Sequence, residues 1–279
     1  QPDQSSFQTR DISRVVKTSD QWFRPVDIKA GPDGCIYIAD LYEQRIDHSS
    51  HYAGRIDRTN GRIYRLRPKD LPQATPFDYG KLTLPELHAQ LNHHGKWHRQ
   101  TVQRLIADRH DEKAKGSLLA QTMLAGGQNA LEFLWALHAS GGLDDDNNFA
   151  IVLLSHPDQF VRAWTVRLLC DHYQVPPEIA RALANLAAKE PYIEVRKQLA
   201  SSARRLPAKD ALPILRNLLN YDEDSKDIHQ PLLLWWAIEA KATDGDRDLI
   251  LAVLFSDKES WQNAIVKEHL IDRLMKRYA

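Results

Sequence analysis

One helical unit recurs along the chain at a fixed spacing. His156-Pro157-Asp158-Gln159-Phe160-Val161-Arg162 opens an apolar helix through Cys170 and Asp171, and Glu190-Pro191-Tyr192-Ile193-Glu194-Val195-Arg196 repeats it. Both copies carry a polar residue and a proline, a short turn, then Val-Arg at the start of a helix. Arg162 and Arg196 fall in equivalent places 34 residues apart. A looser copy begins at Gly95-Lys96-Trp97-His98-Arg99. Fixed-period recurrence of a helical unit is the mark of a solenoid, in which no repeat can bury its apolar face alone and neighbours must stack. The positions Val161, Trp164, Val166, Leu168 and Leu169 supply such a face. At a recurring position, Arg162 and Arg196 read as structural joints that reach an Asp or Glu at the turn between repeats.

Charge and length bound the function. The chain has 279 residues, 37 basic and 37 acidic, with a pI of about 7.4. This balance gives no global field toward a nucleic acid or an anionic membrane. A nucleic-acid partner is therefore disfavoured, with Arg99, Arg104, Arg109, Arg204 and Arg205 as the positions on which one would depend. The apolar run Pro231-Leu232-Leu233-Leu234-Trp235-Trp236 is too short to span a bilayer and meets Glu239. The polar start Gln1-Pro2-Asp3-Gln4 carries no signal peptide, and the absent Met suggests a piece of something longer. Cys35 and Cys170 each sit in an apolar pattern and read as buried, unpaired thiols.

Residues 1 to 20 are polar and read as an arm or an incomplete strand. From Trp22 the period becomes two. Pro25-Val26-Asp27-Ile28-Lys29 alternates, Gly31-Pro32-Asp33-Gly34 is a tight turn, and Cys35 to Asp40 is a second strand. A polar loop from Tyr42 to Asn60 follows, with Arg45, His48, His51, Arg55 and Arg58. Gly61 to Arg67 returns as a third strand ended by Pro68. Three strands make a small sheet with free edges, which needs a partner.

Val26 to Asp40, the loop, and Gly61-Arg62-Ile63-Tyr64-Arg65-Leu66 resemble the closing blade of the soluble pyrroloquinoline-quinone sugar dehydrogenase type of six-bladed propeller. Arg24-Pro25-Val26-Asp27 through Asp40-Leu41-Tyr42 and His48, followed by helical repeats, is similar to large secreted membrane-bound-dehydrogenase-like proteins of planctomycete-type bacteria. In those, a propeller precedes HEAT-like repeats and often a c-type haem domain. The resemblance implies a periplasmic or secreted location, and upstream propeller blades or another protein as partner. It implies pyrroloquinoline quinone and calcium in the parent protein, with no cofactor held by this chain alone. In the sugar dehydrogenases two arginines before the hairpin hold the anionic quinone. Arg24 falls at the first place, while Val26 stands at the second, which removes half of a cationic clamp.

Pro68, Pro72 and Pro76 mark segment 69–82 as a linker. Thr83-Leu84-Pro85-Glu86 is a capping box with proline in the first turn. The 3.6 period then predicts helix pairs at 83–92 with 96–108, 112–124 with 128–139, 145–154 with 158–173, 177–189 with 192–205, 208–220 with 229–242, and 246–256 with 258–278. The fold expected is mainly α: a HEAT-like α-solenoid of about six helix pairs with a small N-terminal β-sheet, a partial propeller blade. The division expected is 1–68 blade and arm, 69–82 linker, 83–279 solenoid. One ring of Trp235 and Trp236 should enter the core and the other stay half exposed, and Met275 and Tyr278 should cap the last pair.

Outside the polar blade loop, where His48 and His51 stand with Asp47 and Asp57 and a ligand or metal stays open, no set of residues reads as a metal site. His94 and His98 are four apart with His88 and His93 near, but Gly95 interrupts the helix and no Glu stands as a hydrolytic base. Asp144 to Asp146 and Asp222 to Asp224 lack EF-hand spacing and read as solvated turns. There is no Gly-x-Ser-x-Gly elbow, P-loop or dinucleotide fingerprint, so no catalytic residue is assigned. The candidate cofactor contacts are Arg24, Asp40, Arg45 and His48, at the loop end of the sheet. The favoured function is a protein-interaction or scaffold module. The alternatives are a contribution to a quinone-dependent sugar or alcohol dehydrogenase site, and a HEAT-type nucleic-acid binder.

Overall fold

The computed structural model describes residues 2–3, 6–44, 47–53, 57, 59–145, 147–243 and 246–278. The chain is mainly helical with a small three-stranded antiparallel sheet near its N-terminus. It divides into two compact units, Arg10–Arg109 and, with Gln1–Thr9, His110–Ala279.

In the first unit, strands β1 (Pro25–Ala30), β2 (Ile36–Asp40) and β3 (Arg62–Leu66) pair in that order. Gly34 turns the β1–β2 hairpin with φ of 74°, a left-handed value that glycine adopts without a Cβ clash. Gly31 N–H closes the turn on Cys35 O at 2.8 Å. Ile28, Ile38 and Tyr64 lie abreast, and a bulge at Val26 shifts the register between Pro25 and Asp27. Central β2 holds the buried Ile38, with the buried Cys35 just before it, whereas β1 is exposed along its whole length. Both outer strands are open edges of the sheet.

Segment 69–82, expected as a linker, is tied down within the same unit. It ends in a 3-10 turn, Tyr79–Lys81, and Tyr79 Oη lies 2.6 Å from His98 Nδ1. Arg109 donates to Gly80 O at 3.0 Å. Helices α1 (Leu84–Gln90) and α2 (Lys96–Arg109) follow and pack on each other. Thr83 and Glu86 form the anticipated capping box.

The second unit holds α3 (Glu112–Leu124), α4 (Gly127–Ala139), α5 (Asn147–Leu154), α6 (Gln159–Leu169), α7 (Pro177–Lys189), α8 (Ile193–Ala203), α9 (Ala208–Leu218), α10 (Gln230–Thr243), α11 (Arg247–Leu254) and α12 (Ile271–Tyr278). They stack in two layers. Helices α5, α7, α9 and α11 touch in succession, and so do α4, α6, α8 and α10. The shared core runs between the layers through Val166, Leu183, Val195, Leu199, Leu215, Ile238 and Ile250. Neighbouring pairs thus cover the face that each would expose alone.

Several local expectations are corrected. The helix expected to reach residue 173 stops at Leu169, where Cys170 leaves helical geometry (φ −97°, ψ 3°), and Tyr173 then turns left-handed with φ of 65°. The final span 258–278 is not one helix. Asp257 Oδ1 captures the amide and hydroxyl of Ser260, both at 2.7 Å, and forces a 3-10 turn at Ser260–Gln262. Asp222 then accepts from Ala264 N at 2.8 Å where the chain re-enters helix, and a π-turn at Val266–Leu270 leads into α12. Met275 does not cap the core. It is exposed, since Leu274 takes the inward position beside it. The side chain of Tyr278 lies outside the described residues. Asp224 is likewise no solvated turn residue: it is buried against Arg196. The Trp pair divides as expected, with Trp235 7% exposed and Trp236 42%.

Candidate interaction surface

The recurring arginines are joints. Arg162 donates through Nε and Nη2 to the two carboxylate oxygens of Glu190 at 2.9 and 2.6 Å, and through Nη1 to His156 O and Pro157 O. Arg196 repeats this on Asp224 at 2.7 and 2.5 Å, with Glu190 O and Pro191 O. Each forked guanidinium is fully engaged and buried, which leaves nothing to offer a ligand. Beside the first joint, a groove of about 510 Å³ between α5 and α7 is bordered by Ile151, Asn185, Lys189 and Tyr192. His156 lines it too, but both of its ring nitrogens are engaged, by Thr122 O and by Asp158 N.

The second layer carries half-buried and exposed aromatics. Trp164 on α6 meets Trp135 on α4 edge-to-face at 5.0 Å, and Arg167 covers Trp164 at 4.9 Å. Between α8 and α10 lies a groove of about 320 Å³ lined by Lys197, Gln198, Ser201, Leu232, Leu233 and Trp236. Lys197 is pinned to Glu194 at 2.9 Å, so these two charges offset, and His229 and the Trp236 indole complete the lining. Ile228, just before α10, is also exposed. The apolar run 231–236 displays this face because a helix that buries Leu234 and Trp235 leaves Leu232 and Leu233 half-buried at its flank and turns Trp236 outward.

At the loop end of the sheet the candidate cofactor contacts fare unevenly. Arg24 and Asp40 meet, but through the backbone: Asp40 Oδ1 accepts from Arg24 N at 2.8 Å and Tyr42 N at 3.0 Å. The Arg24 guanidinium is spent on Gln44 O and Phe23 O. Val26 stands exposed at the other place of the expected clamp, so no second cation flanks Arg24 there. His48 is exposed at the start of a short helical turn, His48–Tyr52, within the segment expected as a polar loop. It hydrogen-bonds to neither Arg24 nor Asp40. Arg45, Arg55 and Arg58 lie outside the described residues, as does the side chain of His51.

Glu43 was missed by sequence reasoning. It is buried like Asp40, and Asp40 Oδ2 and Glu43 Oε2 both lack a hydrogen-bond donor among the described residues. At the opposite end of the sheet, burial pushes Asp33 up, yet bonds from Cys35 N and Tyr37 Oη and the charge of Arg65 hold it down to about 2. Among the described residues no group of three or more His, Cys, Asp or Glu is arranged to hold a metal ion.

The arginines on which nucleic-acid binding would depend are largely committed to the protein. Arg99 donates to His93 O and His94 O, Arg109 to Gly80 O, and Arg205 pairs with Asp171. Arg104 and Arg204 remain exposed. Among the described residues no helix is long and apolar enough to cross a membrane.

A family model described as a domain of unknown function, DUF7133, matches residues 1–70. This is the sheet and its preceding arm. No curated protein and no solved structure matches the chain.

Proposed function

We propose that the chain is a protein-interaction scaffold, a HEAT-like solenoid joined to a partial propeller blade at the C-terminal end of a larger, periplasmic or secreted dehydrogenase-like protein. The observation that carries this reading is the contrast within the second unit. Its recurring charged residues are buried and mutually satisfied, whereas the exposed Trp236 and the half-buried Leu232 and Leu233 border a groove between α8 and α10. Grooves of this composition suit protein partners, in which an aromatic anchor is enclosed by polar neighbours. A photo-reactive phenylalanine analogue at Ser201, in the groove, should give an adduct with a partner from the native host. The same analogue at Lys209, exposed on α9 in the other layer, should not. Equal adducts at both positions, or none at Ser201, would overturn the reading.

A second reading is a contribution to a quinone-dependent sugar or alcohol dehydrogenase site. Its support is the sequence resemblance and the two donorless oxygens of Asp40 and Glu43, whose chemistry suits a hard cation such as calcium. Calcium titrated with and without pyrroloquinoline quinone, followed by thermal shift, tests it. No shift at saturation removes this reading without touching the first.

A further inference from the structure

Four basic groups converge where α1 hands over to α2. The rings of His93 and His94 stack at 4.3 Å between centroids, and those of His93 and His98 lie 3.9 Å apart. Arg99 reaches back to the carbonyls of His93 and His94 at 2.8 and 2.9 Å. Among the described residues no carboxylate is ion-paired with any of the three imidazoles. Gly95 lies close to the rings: a Cβ would stand 3.0 Å from His98 Cδ2 and 3.2 Å from His93 Nδ1, so they would have to give way by a few tenths of an ångström.

The hydrogen bonds distinguish the rings. His98 Nε2 faces Pro32 O at 2.9 Å; a carbonyl only accepts, so Nε2 carries a proton. Its Nδ1 faces Tyr79 Oη at 2.6 Å, and Tyr79 also reaches Gln90 Oε1 at 3.3 Å. The hydroxyl can therefore donate to a neutral His98, or accept from a protonated one while donating to Gln90. His98 keeps its partners in both states. His93 does not: its Nδ1 accepts the Gly95 N–H at 2.9 Å, a bond that only the unprotonated nitrogen makes.

We propose that His93 is an acid-sensitive latch, whose protonation opens the α1–α2 turn and loosens the hold of His98 on the β1–β2 hairpin. Protonated, His93 would turn an N–H toward the Gly95 N–H and leave that amide without its acceptor. It would also add positive charge against His98, His94 and Arg99 at van der Waals range. Tyr79, the titratable group facing the cluster from the 3-10 turn, stays neutral across the range in which imidazole ionises, roughly pH 5 to 8. The remaining neighbours of His98, Phe77 and Trp97, are uncharged. Burial first, then His98 and His94, lower the proton affinity of His93, as this arrangement requires. The device would make the seating of the sheet on its own helix pair depend on the acidity of the compartment.

Hydrogen exchange of the full chain at pH 7.5 and 5.5, corrected for intrinsic rates, tests the latch. Protection of the amides of residues 93–99 and of the hairpin 31–37 should fall at the lower pH, because a group whose folded-state proton affinity is lowered destabilises the closed form once it is protonated. The His93→Asn variant retains an acceptor for Gly95 N–H and cannot ionise, so its protection should not change between the two pH values. Unchanged wild-type protection would overturn the proposal. An equal loss in His93→Asn would do the same. Circular dichroism at pH 7.5 establishes that the variant is folded, and His93→Gln serves where Asn is not.

Discussion

Arg162 and Glu190 are 28 residues apart and share two hydrogen bonds, and Arg196 repeats the pairing with Asp224 at the same separation. Glu190 belongs to both rungs: its carboxylate receives Arg162, and its carbonyl receives Arg196. The ladder is thus continuous from α6 through the turn after α9. Removing one partner strands a buried charge. Arg196→Ala should cost about 3–5 kcal/mol, read as a lower urea midpoint. A loss below about 1 kcal/mol would mean that the ladder is not a joint.

The two adjacent tryptophans should separate cleanly. Trp235→Ala empties part of the core and should cost about 3–5 kcal/mol, whereas Trp236→Ala, on the surface, should stay within about 0.5 kcal/mol. Comparable losses for the two variants in the same denaturation experiment would contradict the helix facing.

The repeat period, the capping box at Thr83, the hairpin at Gly31 to Gly34 and the inner and outer faces of α10 were legible in the sequence, because each is a local pattern. The partners of Arg162 and Arg196 were legible in kind, since a recurring cation at a turn needs a recurring anion. The identity of Asp224 was obscured by its neighbours Asp222 and Glu223, which look equally solvated in one dimension. The break after Asp257 was hidden for a related reason. It depends on one carboxylate that caps Ser260 and also pairs with Arg216 from another helix. At the sheet, Arg24 looked like a ligand contact because nothing local showed that Gln44 O would claim it, and Glu43 gave no signal of its burial.

Asp257 also makes a pH prediction. Hydrogen bonds from the Ser260 hydroxyl and amide, with Arg216, outweigh the effect of burial and hold its carboxyl down to about 2 from 3.8. A folded value below the unfolded one means that its stabilisation is present above about pH 4 and is lost as pH falls toward 2. The carboxyl carbon of Asp257, followed by NMR in acid, should titrate near 2. A midpoint close to 3.8 would show that the cap is not formed in solution.

Cys170 is fully buried, and burial pushes its thiol up to about 12. Cys35 is buried as well. Neither should react with a thiol reagent at pH 8 in the native chain, and both should react in denaturant. Rapid native labelling would show that their segments open readily.

The scaffold reading turns most directly on the groove between α8 and α10. Once the Ser201 adduct has identified a partner, its affinity should be measured by calorimetry for the wild type and for Trp236→Ala, with Trp261→Ala as a surface control. An aromatic anchor is worth about 2 kcal/mol or more, so the Trp236 variant should bind about thirtyfold more weakly while the control is unchanged. Equal affinity for wild type and Trp236→Ala would contradict the account.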